Sequence, residues 1–424
     1  MNSTDLKNKL RNLWIETFHD SSEYVSLVFN SYFNPDLVEY EEHNGEVVAG
    51  LIGVPYNFGN AEHHVKGLYL CGLATKPKFQ SHGIMTRLID SINQKAANMG
   101  FAFTFLIPAE KSLQSYYGNR GYVNAFYQVV DNYTFLHDFD REYESVLMEQ
   151  KEKVALLKKR HYESLEISRI DRLNPASDEV RTAIKELFSK VEETQSDLQI
   201  IHSPQDVDVI IRENLIDGGA IYICSTTAGA LSGVAFTKVN NASVDVIRLI
   251  ALDSSSKYKI LSAVKKDNPT LGIHHKVSSV EMDRKALWMR TYGSVLPESP
   301  QVNAISVAER VYSLAAHAKM YGMARILDFI EILKFQAENR HDLKYSILMK
   351  LPDASYAMEL VECRNGVVTS KKLAIDELSN AQRAHAMSKH DMGEILFRRR
   401  GMDNLITEAF GLPSINGSIS LMLD

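Results

Sequence analysis

The chain has 424 residues, of which 45% are hydrophobic and 24% are charged, so it is globular in composition and too long for one ordinary core. Its net charge of −6 argues against a general binder of nucleic acid or of anionic membranes. Cys71, Cys224 and Cys363 are far apart in sequence, which excludes a CxxC metal or redox motif and fits a reducing compartment.

Two further absences in the sequence concern targeting. The first residues, MNSTDLKNKLRNLW, contain no apolar region of the kind found in secretory signals. No stretch of about 18 apolar residues predicts a membrane-spanning helix. We therefore expect a soluble, cytoplasmic protein without a membrane partner.

The first 136 residues alternate between helical and strand-like patterns. Apolar spacing predicts helices near residues 6–18 and 24–29. Asn44-Gly45 supplies the positive φ angles of a tight hairpin turn. Strands are predicted at 37–42, 47–54, 64–75 and 101–107, and the four-residue steps Ile84, Leu88, Ile92 and Ala96 predict a helix that ends at Gly100.

The rest of the chain divides at about residue 302. Before it, the patterns predict one helix over Glu142 to Arg160, a strand at 165–170, helices near 177–192 and 204–216, and two or three strands within 220–252. After it, they predict helices at Val307 to Tyr321 and Met323 to Phe335, strands at Tyr345 to Lys350 and Tyr356 to Val367, helical or mixed segments at 371–389 and 395–410, and a last strand at Ser418 to Leu423.

The chemically informative segment is LCGLATKPKFQSHGIMTRLI, Leu70 to Ile89. A strand ends near Thr75, Pro77 breaks it, and a loop containing Gly83 leads into a helix. The first N–H groups of a helix have no intrahelical partner and the helix dipole makes that end positive, so such a loop can hold a pyrophosphate. A lone glycine before a helix is explained equally well by an ordinary strand-to-helix turn.

The order of hairpin, long strand, Gln-x-x-Gly loop, amphipathic helix and apolar strand resembles the GNAT superfamily of N-acetyltransferases. The loop pattern of that family is Q/R-x-x-G-x-G/A, and Gln80, Gly83 and Met85 stand at its positions, Met85 departing from the usual small residue. Within the superfamily the chain resembles the enhanced-intracellular-survival (Eis) type. The segment YYGNRGY, Tyr116 to Tyr122, is similar to the Y-G-R-F-G-Y motif of that branch.

A second motif extends the resemblance to the C-terminal part. The segment MARILDFIEIL, Met323 to Leu333, is similar to the M-x-R-I-x-D motif at the start of the sterol-carrier-like domain of the Eis type. The resemblance implies a mixed α/β (α+β) chain of tandem GNAT folds followed by a sterol-carrier-like α+β domain. The implied domains are a catalytic GNAT domain at 1–138, a degenerate GNAT-like domain without a cofactor loop at 139–301, and the sterol-carrier-like domain at 302–424.

The resemblance also implies an activity and its residues. Acetyl-CoA would be the co-substrate, no metal would be required, and the acceptor would be a primary amine. Tyr122 would give a proton to the departing thiolate, and the C-terminal carboxylate on Asp424 would take one from the amine. The implied cofactor-binding residues are Gly72, Leu73, Ala74, Gln80, Ser81, His82, Gly83, Ile84, Met85, Tyr117 and Gly118.

Several candidates, including His82 as a base and Cys71 as a nucleophile, also have an ordinary structural interpretation. Tyr122 could be a core tyrosine, His82 a surface residue of the loop, and Cys71 an inert small residue of a strand. Asp424 could end an edge strand in solvent.

Aminoglycosides, polyamines, peptide N-termini and lysine side chains all remain open as acceptors. The competing hypothesis is a non-catalytic carrier that senses coenzyme A or binds lipid. The family further implies a homo-oligomer, a hexamer, and the net charge leads us to expect no nucleic-acid partner.

Overall fold

The structure, a computed structural model, describes residues 2–148, 150–193, 198–278, 319–350, 357–384, 386–397 and 417–418. The helices are α1 (Ser3–Phe18), α2 (Ser22–Tyr32), α3 (Ile84–Asn98), α4 (Lys111–Gly118), α5 (Phe139–Met148), α6 (Glu152–Ser164), α7 (Asp178–Glu192), α8 (Pro204–Ile216), α9 (Ser254–Asp267), α10 (Phe329–Asn339), α11 (Asn380–Ala384) and α12 (Lys389–Leu396).

The strands alternate with these helices through most of the chain, which gives the expected mixed α/β fold class. They are β1 (Val38–His43), β2 (Glu46–Gly59), β3 (His64–Thr75), β4 (Phe103–Leu106), β5 (Val123–Tyr133), β6 (Leu165–Ile170), β7 (Leu198–Ile201), β8 (Ala220–Thr226), β9 (Leu231–Val239), β10 (Ser243–Ala251), β11 (Gly272–Ser278), β12 (Lys319–Ile326), β13 (Tyr345–Lys350), β14 (Ala357–Arg364), β15 (Val367–Ala374) and β16 (Gly417–Ser418).

The chain divides into two compact units. The first comprises the described residues of Met1–Tyr127, Ser196–Ile201 and Met320–Ile419, and the second those of Gln128–Gln195 and His202–Lys319. The C-terminal segment from Met320 therefore belongs to the same unit as the N-terminal domain. The three-domain division drawn from the sequence stays a prediction.

The first unit is built on a sheet in which β1, β2 and β3 are antiparallel neighbours and β4 runs parallel to β3. The predicted turn Asn44-Gly45 joins β1 to β2, and both residues have positive φ angles, 52° and 81°. Strand β12 is antiparallel to β4 on its other edge. The C-terminal segment thus extends the sheet of the N-terminal domain.

Helix α3 covers one face of this sheet. Its residues Ile84, Leu88, Ile92 and Ala96 are all buried, which confirms the helical face predicted from their spacing. The opposite face is aromatic: the rings of Phe58, Phe103, Phe105 and Phe126 pack together, and Phe397, directly after α12, contacts two of them.

The second unit has the same order of connections. Strands β8, β9 and β10 are antiparallel neighbours, helix α9 follows, and β11 runs parallel to β10. Its core lies between α7, α8 and α9 and these strands. Helix α9 begins at a capping residue, because the side chain of Asp253 accepts a hydrogen bond from the backbone N–H of Ser256 at 2.8 Å.

Several predicted elements are wrong in detail. The single helix predicted at Glu142 to Arg160 is two helices, since α5 ends at Met148 and α6 begins at Glu152. The helix predicted from Met323 begins only at Phe329, because residues up to Ile326 pair with β4 as a strand. The helical or mixed segment predicted from Lys371 begins as strand β15. Residues 307–318 and 398–410 of the other predicted helices lie outside the described residues.

One turn was missed although its signal is present. The strand predicted over Tyr356 to Val367 is a hairpin of β14 and β15 whose turn is Asn365-Gly366. Both residues have positive φ angles, 53° and 78°. This is the same Asn-Gly signal that located the first hairpin.

Candidate active site

Strands β3 and β4 separate partway along their length. They pair in parallel only at Gly67–Phe103, Leu68–Thr104 and Tyr69–Phe105. Strand β3 continues to Thr75, whereas β4 ends at Leu106. Backbone polar groups of β3 beyond Tyr69 are thus left without β4 as a partner, and an extended ligand can pair with them.

A β-bulge lies at this point of separation. Gly50 faces Ala74 and Ile52 faces Cys71, so the intervening Leu51 stands opposite both Gly72 and Leu73. Gly72 has a φ of +62°, and a Cβ on it would lie 2.4 Å from the indole of Trp14. Only glycine fits there. The structure therefore brings the predicted residues Gly72, Leu73 and Ala74 together where β3 leaves β4.

The loop from β3 to α3 is held in its conformation by hydrogen bonds from its own side chains and by two residues with positive φ angles. Gln80 Nε2 donates to the carbonyl of Thr75 at 3.1 Å, and a ring nitrogen of His82 lies 2.7 Å from the carbonyl of Gln80. Ser81 and Gly83 both adopt the left-handed conformation, with φ of +63° and +71°. The side chain of Gln80 thus closes the loop onto the strand end, and His82 is exposed on its surface.

Helix α3 begins without a side-chain cap. Its first N–H groups are therefore available to a ligand, and the helix dipole favours an anion there. A Cβ on Gly83 would meet only the Arg87 side chain, at 3.8 Å. Ile84 is buried and Met85 packs against the core, so the larger Met85 side chain is directed into the core cluster. These features fit a pyrophosphate-binding cradle formed by residues 80–85.

Tyr122 lies deep between α3 and the sheet. Its side chain is 1% exposed. Its hydroxyl lies 3.0 Å from Thr104 Oγ1 and accepts from Asn93 Nδ2 at 3.4 Å. Burial raises the pKa of Tyr122, and the hydrogen bonds from Thr104 and Asn93 act in the opposite direction. The phenol therefore stays protonated at neutral pH, and its hydroxyl already has two protein partners.

Tyr117 and Gly118 end helix α4 beside Tyr122. The ring centroids of Tyr117 and Tyr122 are 6.0 Å apart in an edge-on arrangement, and the carbonyl of Tyr117 accepts the N–H of Tyr122 at 3.2 Å. Burial raises the pKa of Tyr117 as well. A Cβ on Gly118 would meet no atom within 4 Å, so packing alone does not require a glycine there.

Sequence reasoning missed Arg120, although it lies within the YYGNRGY motif. Its guanidinium carbon is 3.4 Å from the centroid of the Tyr116 ring, its Nη1 donates to the carbonyl of Tyr116 at 2.5 Å, and its Nε donates to Thr86 Oγ1 at 3.1 Å. Thr86 is in the first turn of α3. Arg120 therefore ties the end of α4 to the helix that begins at the cradle.

The remaining predicted site residue, Asp424, lies outside the described residues. Within the described ranges, no group of three or more His, Cys, Asp or Glu side chains is placed to hold a metal ion. Across the same part of the chain, every helix is too short or too polar to cross a membrane.

Residues 3–125 match the family model described as Acetyltransferase (GNAT) domain. A search of curated proteins gives no match. The chain therefore carries a GNAT acetyltransferase domain in its N-terminal part. This domain supports the expectation that the protein is an acyltransferase.

Solved structures with the same fold span nearly the whole chain. A conserved protein of unknown function from Enterococcus faecalis V583, named as a probable N-acyltransferase, is 11% identical over 96% of this chain and 90% of its own, with a TM-score of 0.61. A GCN5-related N-acetyltransferase from Anabaena variabilis is 13% identical over 92% and 87%, also at 0.61. Eis1 from Mycobacterium abscessus is 10% identical over 99% and 98%, at 0.58. At these identities the likeness shows the fold.

Proposed function

We propose that this chain is an acetyl-CoA-dependent N-acetyltransferase that transfers an acetyl group directly to a primary amine. The observation that carries the proposal is the separation of β3 from β4 beside the uncapped start of α3. The first feature offers backbone partners to an extended arm, and the second offers N–H groups to an anion. Coenzyme A has both an amide-containing arm and a pyrophosphate.

Different residues of the first unit would bind different parts of acetyl-CoA. Acetyl-CoA supplies the activated acetyl thioester. The backbone of Gly72, Leu73 and Ala74 would hold the pantetheine arm and orient the thioester. Gln80, Ser81, His82, Gly83, Ile84 and Met85 would hold the pyrophosphate, and Tyr117 and Gly118 would flank the far end of the ligand.

Two protons must move in this reaction. Tyr122 would donate one to the thiolate that leaves, and the C-terminal carboxylate on Asp424 would accept one from the amine. Burial raises the pKa of Tyr122, so the phenol is protonated at neutral pH but is a weaker acid than a solvated tyrosine. Its two hydrogen bonds, to Thr104 and Asn93, support the structural role that competes with this assignment.

The competing function is a non-catalytic carrier, in which the first domain senses coenzyme A and a sterol-carrier-like domain at 302–424 binds lipid. The strand pairing of β12 with β4 argues against an independent carrier domain, because the segment contributes to the sheet of the first unit. We further propose a cytoplasmic homo-oligomer, with no membrane or nucleic-acid partner.

The deciding experiment measures thiol release from acetyl-CoA in the presence of a panel of amines: aminoglycosides, polyamines, peptides with free N-termini and lysine. We expect release that depends on both the enzyme and one class of amine, together with one acetyl-CoA site per chain by calorimetry. Binding of acetyl-CoA with no release for any amine would favour the carrier, and absence of binding would contradict both.

A further inference from the structure

The M-x-R-I-x-D motif has a structural explanation for most of its residues. Met323 is buried in the core beneath α3, and Ile326 is buried as well. Asp328 caps helix α10, since its Oδ1 accepts from the N–H groups of Ile330 and Glu331 at 3.0 and 3.3 Å. Arg325 takes part in neither the core nor the cap, and its side chain is 32% exposed.

Arg325 instead reaches two elements of the N-terminal domain. It lies on β12 opposite Thr104 of β4. Its Nη1 donates to Asp90 Oδ1 on α3 at 3.1 Å and to the carbonyl of Arg120 at 3.0 Å. One guanidinium nitrogen therefore joins the helix that begins at the cradle to the turn between α4 and β5.

The stem of Arg325 also lies against this turn. Gly121 has a φ of +81°, and a Cβ on it would lie between 3.5 and 3.9 Å from Nε, Cδ and Cγ of Arg325. Four backbone hydrogen bonds also hold the turn, Asn119 to Ser115, Arg120 to Tyr117, Gly121 to Gly118 and Tyr122 to Tyr117, in addition to the contacts of the Arg120 side chain. Arg325 thus covers a short, glycine-containing turn and adds to it a contact from the C-terminal segment.

This turn sets the position of two residues of the proposed site, one that would flank the far end of the ligand and one that would protonate the departing thiolate. Tyr117 precedes it and Tyr122 follows it. Arg120, whose carbonyl Arg325 holds, also binds Thr86 in the first turn of α3. A displacement of the turn would therefore move both tyrosines relative to the cradle, although it would leave the loop at residues 80–85 unchanged.

We propose that Arg325 is a positioning residue for acyl transfer: by joining Asp90 to the carbonyl of Arg120, it holds the 118–122 turn, and with it Tyr117 and Tyr122, in register with the cofactor cradle. The inference rests on the proposed function. It assigns a role in the active site to a strand from the C-terminal segment, more than 200 residues along the chain from the helix and the turn it joins.

The test uses Arg325→Met, which keeps an unbranched stem over Gly121 and removes the donors, and Arg325→Lys, which restores one charged donor. The matched control is Arg364→Met, because Arg364 is also a strand arginine paired with a carboxylate, that of Glu362 at 3.2 Å. With acetyl-CoA and the best amine of the panel, kcat of Arg325→Met should fall 10- to 100-fold, while its acetyl-CoA Kd should change less than threefold. Arg325→Lys should recover part of kcat.

A second measurement does not depend on turnover. Amide hydrogen exchange over residues 116–123 should be faster in Arg325→Met than in the parent or in Arg364→Met, with exchange over 80–86 unchanged. The double variant Asp90→Asn with Arg325→Met should lose less kcat than the product of the two single losses, because both substitutions remove the same hydrogen bond.

Three outcomes would overturn the inference: a kcat of Arg325→Met within twofold of the control, a parallel loss of kcat and acetyl-CoA affinity, or unchanged exchange over 116–123. Failure of the proposed function looks different, because the parent itself would then release no thiol with any amine. In that case the exchange measurement alone decides whether Arg325 holds the turn.

Discussion

The β3–α3 connection of the first unit and the β10–α9 connection of the second follow the same order of strands. They differ at the start of the helix, which is uncapped in the first unit and capped by a carboxylate in the second. In the first unit eight residues, 76–83, join strand to helix, and the helix begins uncapped. In the second unit only Leu252 and Asp253 join them, and the Asp253 carboxylate binds the first turn of the helix. The second helix start already has an anion, provided by its own chain.

This difference shows that the order of the elements does not by itself create an anion site. The two parallel strand pairs are alike, since β10 and β11 pair at residues 243–246 and 272–275, and β10 continues to Ala251. What differs is whether the connecting loop leaves backbone N–H groups available. An aspartate at the helix start would both compete with a phosphate for these groups and repel it.

The largest effect should come from placing a carboxylate in the first unit where the second unit has one. Gly83→Asp is expected to abolish acetyl-CoA binding, and with it turnover, because it puts a negative charge and a side chain into the cradle. Calorimetry with acetyl-CoA measures the loss.

The matched control for this change is Gly229→Asp in the hairpin between β8 and β9. Gly229 also has a positive φ, +80°, and open space around its Cβ position. The backbone strain is therefore similar, but no cradle is affected. Equal affinities for acetyl-CoA in the two variants would contradict the cradle assignment.

The next largest effect concerns two buried tyrosines, one in each unit. Tyr122→Phe removes only the hydroxyl and should lower kcat by roughly 10²–10⁴, the usual contribution of a general acid. Tyr143 is its control, since it is 1% exposed and its hydroxyl lies 2.6 Å from Ser255 Oγ in the second unit. Tyr143→Phe should leave kcat within twofold of the parent.

The outcome separates the two roles of Tyr122. Loss of its hydroxyl also leaves Thr104 and Asn93 with one partner fewer, so a structural role predicts a lower melting temperature. If both variants lose similar stability and neither loses turnover, Tyr122 is a core residue and the proton donor lies elsewhere.

A smaller effect is expected from extending the chain beyond Asp424. An amine with the pKa of a lysine side chain is neutral only on the order of one part in a thousand at pH 7, so a nearby base helps. A short C-terminal tag should lower kcat at least tenfold if the terminal carboxylate is that base. Acetyl-CoA affinity and melting temperature should stay near those of the parent.

Deletion of Leu423 and Asp424 should act in the same way, and a tag at the N-terminus is the control. Turnover of the C-terminally tagged protein at the parent rate would show that another group takes the proton from the amine.

Local sequence signals located much of the first unit. The Asn44-Gly45 turn, the buried face of α3 and the loop at residues 80–85 each depend on residues that are close in sequence, so their patterns are readable without tertiary information. Gly72, Leu73 and Ala74 were indicated only through the family resemblance, and the bulge at which they lie was not predicted. The need for glycine at position 72 also has a non-local part, because the Trp14 indole, distant in sequence, occupies the space of a Cβ.

The features that sequence reasoning missed are non-local. Residues 323–326 have a pattern that suits a helix, and they form a strand because β4 offers an edge more than 200 residues earlier. The contact of Arg325 with Asp90 likewise has no local signal. Conversely, the turn at Asn365-Gly366 had a clear local signal, and it was missed because the flanking apolar residues were read as one strand.

The smallest expected effect is a loss of stability from a substitution in the second unit. Asp253→Ala removes the helix cap of α9 and should cost about 1 kcal/mol of stability, the typical value for loss of an aspartate cap. For a unit of this size the expected fall in melting temperature is about 2–4 °C. Asp253→Asn keeps a side-chain oxygen for the N–H of Ser256 and should cost less stability, although it weakens the pairing of Asp253 with His161, 3.1 Å away.

Neither variant should gain a second acetyl-CoA site, even though the charge that would repel a phosphate is gone. The reason is the loop: two residues cannot wrap around a pyrophosphate, and the N–H of Leu252 is already bonded to the carbonyl of Ser232 at 2.9 Å. Calorimetry of Asp253→Ala with acetyl-CoA should therefore still give one site per chain. Two sites would mean that the carboxylate alone, and not the length of the connection, separates the two units.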